Sequence, residues 1–501
     1  MRKAILEAIE LIRSGHEYLV LELPTGYGKT SAGPVIFKAF REAGLCWKAI
    51  HVFPLRATLH KTLERYVEEY PGVEFAYQDG DTTLTSKGFV KDTYFRREYV
   101  LTTLDSFIHN LLRAPIGELH KLLKQGSKAI HYHVPFAYIY PSCVILDEAH
   151  VAAREESGKS MASLKVTLEV LRKAEVPVVV MSATLGDWKW EVFKDFIFVG
   201  LGPRDVKDHN RIQVYDQEFE ERMSQVKYEF KKITMGEIVD VARKHAEQGE
   251  RVLIVLNDIK SVMDLSESLE APVIHSRLTR RDRRNAEEKL ISGSSRIIVG
   301  TSAVEAGVDV SFDVLITSFD SWESLVQRIG RVCRYGGPCS GRIYIVERDR
   351  ASPDVGELNG MEWRLPYADN SYVKHLQENV EVDRELEWLL RNLLSYIHVP
   401  IGEIKDIFKK SEGSFLRSPL IEVCVNCECR EDESFTISLE KTDDLHVVGV
   451  RAGESFLCPP KQYSFEWLRQ IVSEYGVFPK LIIKNYREGY GPVPEETVEG
   501  G

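Results

Sequence analysis

Short apolar runs alternate with amphipathic segments through most of the chain. The runs at 18–23 and 49–53 have the length and the apolar content of strands that are buried on both faces of a sheet. Before the first run, Ile5, Ile9 and Ile12 recur at helical spacing. Strands separated by helices predict a parallel sheet that is covered on both sides. Further strands of this first sheet are predicted at 99–102, 143–146 and 178–181.

The same alternation begins again after a polar segment at 201–210. This segment contains Gly, Pro, Asp and Asn and is typical of a linker. A helix is then predicted at 235–248, with strands at 252–256, 273–275, 297–299, 314–317 and 342–346. The predicted fold class is therefore α/β, with two tandem parallel-sheet domains at 1–205 and 206–350.

The pattern changes after residue 350. Helices are predicted at 371–397 and 400–411, and the remainder mixes short strand-like runs with turns. We interpret 351–501 as a smaller C-terminal accessory domain whose last residues, 489–501, form a disordered tail.

Composition and charge narrow the class of protein. Apolar residues make up 44% and charged residues 28% of the 501 positions, which indicates a globular chain rather than a disordered one. No apolar run approaches the ~18 residues of a membrane span, and Glu7 makes a secretory signal improbable, so we expect a cytoplasmic protein with no membrane contact. The net charge of −11 argues against a surface coated by nucleic acid but permits a local basic groove.

A glycine-rich turn follows the first strand and precedes a helix. Its sequence, Leu-Pro-Thr-Gly-Tyr-Gly-Lys-Thr, lets successive backbone amides turn toward a phosphate at the positive end of the helix. Lys29 would reach the β- and γ-phosphates, and Thr30 would hold Mg²⁺. The nucleotide-binding residues predicted here are Thr25, Gly26, Gly28, Lys29 and Thr30.

Two acidic residues stand at the end of a later strand, in Asp147-Glu-Ala-His150. Asp147 can bind the magnesium ion, and Glu148 can orient and deprotonate the attacking water. His150, Ser182 and Thr184 also follow strands, and we expect them to link the nucleotide site to a nucleic-acid site.

The second domain carries arginines suited to a transferring phosphoryl group. Arg331 and Arg334 are three residues apart, which predicts one face of a helix. Gln327, Gly307 and Asp309 are predicted to face the nucleotide. For nucleic-acid phosphates we predict contacts from Arg56, Thr58, Thr102, Thr103, Arg277 and Thr301. Ordinary strand-to-helix loops are an equal alternative for the first four, and a capped helix with a solvated charged face is an equal alternative for the segment of Arg277.

Together these motifs resemble superfamily 2 DExH-box helicases. The spellings His275-Ser-Arg-x-Thr-x-x-Asp-Arg283, Val304-Glu-Ala-Gly-Val-Asp309 and Ser324-Leu-Val-Gln-Arg-x-Gly-Arg-Val-x-Arg334 resemble the signature helicase of type I CRISPR interference. The resemblance implies two RecA-like domains that use ATP and Mg²⁺ to pull single-stranded DNA with 3′-to-5′ polarity. It also implies recruitment by an RNA-guided surveillance complex.

Two departures from that family matter. Its long form begins with an HD-type metal nuclease, whereas about twenty residues precede the phosphate loop here and no His-Asp dipeptide occurs. We therefore expect the helicase-only form, with the nuclease as a separate subunit. No glutamine upstream of the phosphate loop is available to read adenine, so the preference for ATP rests on the resemblance.

Alternatives stay open at this stage. A general DNA-repair or RNA helicase would use the same motifs, and a nucleotide-gated DNA-binding scaffold would recruit a nuclease without translocating. The hydrolytic residue set argues against the scaffold. A Cys₄ zinc site is an interpretation less favoured than buried thiols or a disulfide, and its ligands would be Cys424, Cys427, Cys429 and Cys458.

Overall fold

The structure is a computed structural model that describes residues 1–79, 89–124, 126–155, 157–305, 310–347, 352–377, 379–395 and 399–493. These residues form two compact units. The first comprises Met1–Asp216, Gln377–Pro419 and Phe465–Phe478. The second comprises Gln217–Leu376, Leu420–Ser464 and the described residues from Pro479 onward.

The elements follow the alternation expected from the apolar pattern. Up to Asp216 they are α1 (Lys3–Arg13), β1 (Tyr18–Glu22), α2 (Gly33–Glu42), β2 (Lys48–Phe53), α3 (Arg56–Glu69), β3 (Phe75–Gln78), β4 (Tyr99–Thr103), α4 (Leu104–Leu111), α5 (Leu119–Leu123), α6 (His133–Ile139), β5 (Ser142–Asp147), α7 (Lys159–Lys173), β6 (Val178–Ser182), α8 (Lys189–Val192), β7 (Ile197–Leu201), β8 (Val206–Asp208) and β9 (Arg211–Val214). From Gln217 to Leu376 they are α9 (Gln217–Met223), β10 (Val226–Ile233), α10 (Ile238–Glu247), β11 (Val252–Val255), α11 (Ile259–Leu269), β12 (Val273–Ile274), α12 (Arg280–Ile291), β13 (Ile297–Gly300), β14 (Val314–Ser318), α13 (Trp322–Ile329), β15 (Cys339–Val346) and α14 (Val355–Asn359). The remainder holds α15 (Arg384–Ser395), α16 (Ile401–Lys410), β16 (Leu420–Cys424), β17 (Ser434–Ser438), β18 (Val447–Ala452), β19 (Ser455–Leu457), α17 (Phe465–Tyr475), β20 (Lys480–Ile483), β21 (Tyr486–Arg487) and β22 (Gly491–Pro492).

The first unit is built on one large sheet. Among the described residues its strand order is β3-β4-β2-β5-β6-β1-β7-β9-β8, parallel except for the antiparallel β8–β9 pair at one edge. Glu22 of β1 is level with Ser182 of β6, and Asp147 of β5 is level with Met181. The carboxyl ends of these three strands therefore meet at one edge, which is where ligands bind in open parallel sheets.

The second unit has a parallel sheet of its own, ordered β10-β15-β14-β11-β13-β12. Along β11, Leu253 and Val255 pack into one hydrophobic cluster, whereas Val252 and Ile254 pack into the other. Alternate side chains of a strand point to opposite faces, so this sheet is buried on both sides. The prediction of two α/β parallel-sheet domains is confirmed.

The C-terminal residues divide between the units. Strands β16–β20 form a mixed sheet in the second unit, in the order β17-β16-β20-β18-β19. Helices α15, α16 and α17 belong to the first unit, where α15 packs on α7 and α17 on α5.

Three local predictions differ from the structure. The segment 201–210 was expected to be a linker, but it contains β8, which pairs with β9. The helix expected at 371–397 begins only at Arg384, because the backbone turns through a short 3₁₀ helix at Tyr372–His375. Within the tail that was expected to be disordered, Gly491–Pro492 pairs with β21, and 494–501 lie outside the described residues.

The lengths and apolar content of the helices in the described residues decide whether one of them could span a membrane. Each of them is too short or too polar to cross a bilayer.

Candidate functional site

The glycine-rich turn of the first unit has the backbone of a phosphate loop. Gly26 and Gly28 adopt φ of 84° and 94°, a left-handed conformation that favours glycine. The Lys29 ammonium is buried and donates to the carbonyls of Leu23 at 2.8 Å and Pro24 at 3.2 Å. A cation held by backbone carbonyls inside the loop can exchange them for phosphate oxygens, as the sequence predicted for Lys29.

The two acids lie directly beside this loop. The Thr30 hydroxyl donates to Asp147 Oδ2 at 2.6 Å, which brings together the two residues predicted to hold magnesium. Asp147 Oδ1 is buried and has no hydrogen-bond partner among the described residues. Burial, followed by the Glu148 charge, raises the pKa of Asp147 to about 7. A divalent cation would satisfy the orphaned oxygen and neutralise this charge, so the donor set fits Mg²⁺.

Glu148 has an unusual backbone for a glutamate. Its φ of 50° and ψ of 48° lie in the left-handed region, at a cost of about 1 kcal/mol or more. The strained turn separates Glu148 from the strand that carries Asp147, and the Glu148 carboxylate lies 3.3 Å from His150 Nδ1. Strain that persists at the end of a strand is typical of a functional site.

The three residues predicted to couple the motor form a buried chain. His150 Nδ1 lies 2.9 Å from Ser182 Oγ, and the Thr184 amide donates to the same oxygen at 3.4 Å. Burial lowers the pKa of His150, so the imidazole is neutral at pH 7. It therefore interacts with Ser182 through a hydrogen bond and not as a cation. This chain connects the acid at the end of β5 to the loop after β6.

The nucleic-acid candidates of the first unit gather at the neighbouring strand ends. Thr103 is level with Phe53, the residue after which the Arg56 and Thr58 segment begins. However, Thr103 Oγ1 caps α4 by accepting from the Ser106 amide at 3.3 Å, and the Thr102 side chain is fully buried. Arg56 is partly exposed on α3, whereas the Thr58 hydroxyl oxygen is buried, so Arg56 is the better placed of the two to reach a ligand.

A C-terminal segment also reaches this edge. Arg417 binds Asp105 through two hydrogen bonds of 3.2 and 2.8 Å, and the His109 ring stacks on Phe415 at 5.1 Å between centroids. Both helix residues belong to α4, directly after Thr103. The sequence offered no signal for this contact, because the partners are 312 positions apart.

In the second unit, Arg331 and Arg334 do not lie on a helix. Helix α13 ends at Ile329, and both arginines follow it in an irregular turn, so their predicted placement on one helix face is wrong. The helix is capped at Gly330, and within the turn that follows Cys333 adopts φ of 50° and is bridged to Cys339 at the start of β15. The turn brings the Arg331 guanidinium onto the Glu305 carbonyl oxygen.

The other predicted residues of this unit are dispersed. Thr301 follows β13 and accepts from the Ala303 amide at 3.5 Å, whereas Gln327 lies on the last turns of α13. Arg277 donates to Asp444 Oδ2 at 2.6 Å, so its guanidinium already pairs with an acid of the C-terminal part of the chain. Gly307 and Asp309 lie outside the described residues.

Arg328 is a residue whose importance the sequence did not reveal. Its side chain is 1% exposed and donates to Glu305 Oε1 at 2.8 Å, Thr317 Oγ1 at 2.9 Å and the Ser318 carbonyl at 2.8 Å. This buried ion pair ties α13 to the segment that carries Thr301 and Glu305. The sequence feature that could have indicated this role is the position of Arg328 in the same motif as Arg331, three residues before it.

The cysteines do not assemble the Cys₄ arrangement considered for zinc. Cys424 and Cys429 form a disulfide with the Glu422 carboxylate nearby, and Cys427 and Cys458 are exposed free thiols. Among the described residues, the group of potential metal ligands found within 4.8 Å of one another is this Glu422, Cys424 and Cys429 set.

Two families of known proteins match this chain, one over the motifs of the first unit and the other over those of the second. Residues 3–191 match the DEAD/DEAH box helicase family, and residues 248–337 match the family described as CRISPR-associated nuclease/helicase Cas3, C-terminal. The resemblance drawn from the motifs is therefore confirmed.

Individual relatives agree with these families. The CRISPR-associated helicase Cas3 of Thermoproteus tenax is 24% identical over 70% of this chain and 59% of its own length. The ATP-dependent helicase Lhr-Core of Sulfolobus acidocaldarius is 25% identical over 68% of this chain and 40% of its own. The chain thus spans 59% and 40% of the lengths of these two relatives, less than two thirds of each.

A solved structure shares the fold. The crystal structure of T. fusca Cas3 with AMPPNP superposes with a TM-score of 0.60 and 14% identity, covering 97% of this chain and 68% of that one. At this identity the likeness concerns the fold alone.

Proposed function

We propose that this chain, in which a DEAD/DEAH box helicase domain precedes a Cas3-like helicase domain, is an ATP-dependent translocase on single-stranded DNA. The observation that carries the proposal is the convergence of Lys29, Thr30, Asp147 and Glu148 at one edge of the first sheet. These four residues supply groups that are needed to bind and cleave a nucleoside triphosphate. Asp147 Oδ1 is buried without a hydrogen-bond partner among the described residues, so it is available to bind a cation.

The chain's own residues have separate tasks in hydrolysis. Lys29 leaves its two backbone carbonyls for the β- and γ-phosphates, while amides from Thr25 to Gly28 turn toward the same oxygens. Thr30 and Asp147 hold Mg²⁺, which supplies charge neutralisation at the phosphates. Glu148 orients the attacking water and accepts its proton.

Arg331 and Arg334 are proposed to stabilise the charge that develops on the transferred phosphoryl group. The support for this role is the turn in which they lie, because the Arg328–Glu305 pair and the Cys333–Cys339 bridge fix its backbone. Gln327, Gly307 and Asp309 are proposed to face the nucleotide from the same unit.

Coupling to the nucleic acid is proposed to pass along His150, Ser182 and Thr184. Loss of the γ-phosphate would remove the charged group next to Glu148, and the Glu148 carboxylate lies 3.3 Å from His150 Nδ1. A shift of His150 alters its 2.9 Å contact with Ser182 and hence the loop that carries Thr184. The strand contacts proposed beyond it are Arg56, Thr58, Thr102, Thr103, Arg277 and Thr301.

The biological role that we propose is type I CRISPR interference in the cytoplasm. The chain would unwind target DNA with 3′-to-5′ polarity after recruitment by an RNA-guided surveillance complex, with an HD-type nuclease on a separate subunit. The Cas3 C-terminal family match and the Thermoproteus tenax relative support this role.

A general helicase of DNA repair or RNA metabolism is the second candidate. The observation that favours it is the Lhr-Core relative, which is 25% identical over 68% of this chain, close to the 24% over 70% of the Cas3 relative.

Strand displacement on tailed duplexes tests the proposal. We expect ATP-dependent unwinding of a DNA duplex with a 3′ single-stranded tail, and little unwinding with a 5′ tail or with an RNA tracking strand. The Glu148→Gln variant serves as the hydrolysis-deficient control. Equal or better unwinding of RNA supports the second candidate. If the native protein binds these substrates but unwinds none of them, the proposal of a translocase is contradicted.

A further inference from the structure

The phosphate loop contains one large side chain, Tyr27, which nucleotide binding does not require. Gly26 and Gly28 on either side bend the backbone, and the amides do the binding. Yet the Tyr27 side chain is 1% exposed, and its hydroxyl both donates and accepts a hydrogen bond. A buried side chain with two hydrogen bonds at this position indicates a role other than phosphate binding.

The acceptor of the Tyr27 hydroxyl is Asp216, at 2.6 Å. Asp216 is buried and is 189 positions away in the chain. The tyrosine in turn accepts from the Ala4 amide at 3.1 Å, and the Lys3 amide donates to the same Asp216 oxygen at 3.4 Å. Burial raises the pKa of Tyr27, so the phenol keeps its proton and remains a donor.

Asp216 occupies a special place in the chain, because the first segment of the first unit ends at this residue and the chain continues into the second unit. Strand β9 ends at Val214 and helix α9 begins at Gln217, so two residues join the last strand of one unit to the first helix of the other. The first of these two, Tyr215, is held as well, since Lys3 Nζ donates to its carbonyl at 3.4 Å. A connection this short transmits a displacement to α9 instead of absorbing it.

We propose that the Tyr27–Asp216 hydrogen bond couples the phosphate loop to the first chain connection between the units, at 215–216, and that Tyr27 is a positioning residue for the motor cycle. Phosphate binding draws the amides of the loop toward the ligand, and Lys29 releases Leu23 and Pro24. Tyr27 lies between the two glycines that move, so its hydroxyl carries this change to Asp216 and on to α9. The inference rests on the proposed function, because it requires that ATP binds the loop.

Hydrogen–deuterium exchange of the full chain, with and without ATP and Mg²⁺, tests this coupling. In the native protein we expect ATP to slow exchange at 24–30 and to change it at 214–223. In Tyr27→Phe, which keeps the buried ring, the change at 24–30 should remain while that at 214–223 falls at least about fivefold. Tyr18→Phe, which removes a hydroxyl at the other end of β1, should respond like the native protein.

The acceptor provides a second pair of variants. Asp216→Asn keeps a carbonyl oxygen for the tyrosine and should preserve the response at 214–223, whereas Asp216→Leu should lose it. An undiminished response at 214–223 in both Tyr27→Phe and Asp216→Leu overturns the coupling. An absence of ATP protection at 24–30 in the native protein contradicts the proposed function itself, and the coupling falls with it.

Discussion

The buried ion pair between Arg328 and Glu305 provides a prediction with a magnitude set by the structure. The Arg328 side chain is 1% exposed and Glu305 is 6% exposed. Replacing Arg328 by Met removes the cation together with the donors to Thr317 Oγ1 and the Ser318 carbonyl. The Glu305 carboxylate then stays in the protein interior without the charge that faces it.

Removing one partner of a buried pair costs about 3–5 kcal/mol, whereas replacing both by apolar residues of similar volume is close to neutral. We therefore expect Arg328→Met to lower the local free energy of unfolding by about 3–5 kcal/mol. The double variant Arg328→Met/Glu305→Leu should recover most of that loss. The recovery distinguishes an uncompensated charge from the mere loss of a large side chain.

Native-state hydrogen exchange of β14 is the appropriate assay, because a chain with two units does not unfold in one step. The strand contains Thr317 and Ser318 and reports directly on the pair. Arg296→Met is the matched control, since Arg296 is exposed and its loss should change stability by no more than about 0.5 kcal/mol. A single variant that costs less than about 1 kcal/mol, or a double variant as unstable as the single one, refutes the reasoning.

Three further predictions concern the site, the bridge and a buried histidine. Glu148→Gln should lower kcat for ATP hydrolysis by about 10²–10⁴ while nucleotide affinity is retained, and a parallel fall in affinity would contradict the role of a base. Cys339→Ser should lower the free energy of unfolding of the second unit by about 2 kcal/mol, and a dithiol reductant should destabilise the native protein but not this variant. His51 is fully buried against Tyr99, and burial lowers its pKa to about 3. The unfolded chain, with a histidine pKa of about 6.5, therefore binds a proton that the folded chain does not, so stability should fall as the pH drops below about 6.5, by about 3 kcal/mol at pH 4.5. In His51→Leu this part of the pH dependence, measured by chemical unfolding of the first unit, should be absent.

Local patterns were sufficient to predict much of the fold. Apolar runs identified strands such as β5 and β11, which are buried on both faces and therefore appear as continuous apolar runs, but not β10, most of whose residues are exposed or partly exposed. The phosphate loop and the Asp147–Glu148 pair could also be located, since each consists of neighbouring residues at the end of a strand. The approach of Thr30 to Asp147, across 117 positions, follows from parallel strands whose ends meet at one edge.

Predictions failed where distant residues or unusual backbone decide the structure. Helix α13 ends at Ile329 and the following turn contains the positive φ of Cys333 and its bridge to Cys339, and the spacing of Arg331 and Arg334 cannot reveal any of these. The segment 201–210 has the composition of a linker, yet it joins the sheet because β8 finds β9 as a partner. The contacts of Tyr27 with Asp216 and of Arg417 with Asp105 join residues that are 189 and 312 positions apart in the sequence. No periodic pattern in the sequence predicts such contacts.

The central claim is that nucleic acid governs nucleotide hydrolysis at the phosphate loop of the first unit. ATP turnover should therefore be measured for the full chain alone, with single-stranded DNA and with single-stranded RNA, beside Lys29→Ala. We expect strong stimulation by DNA, weak stimulation by RNA and no turnover in the variant. Equal stimulation by RNA, no stimulation by either strand, or turnover that survives Lys29→Ala would contradict the account.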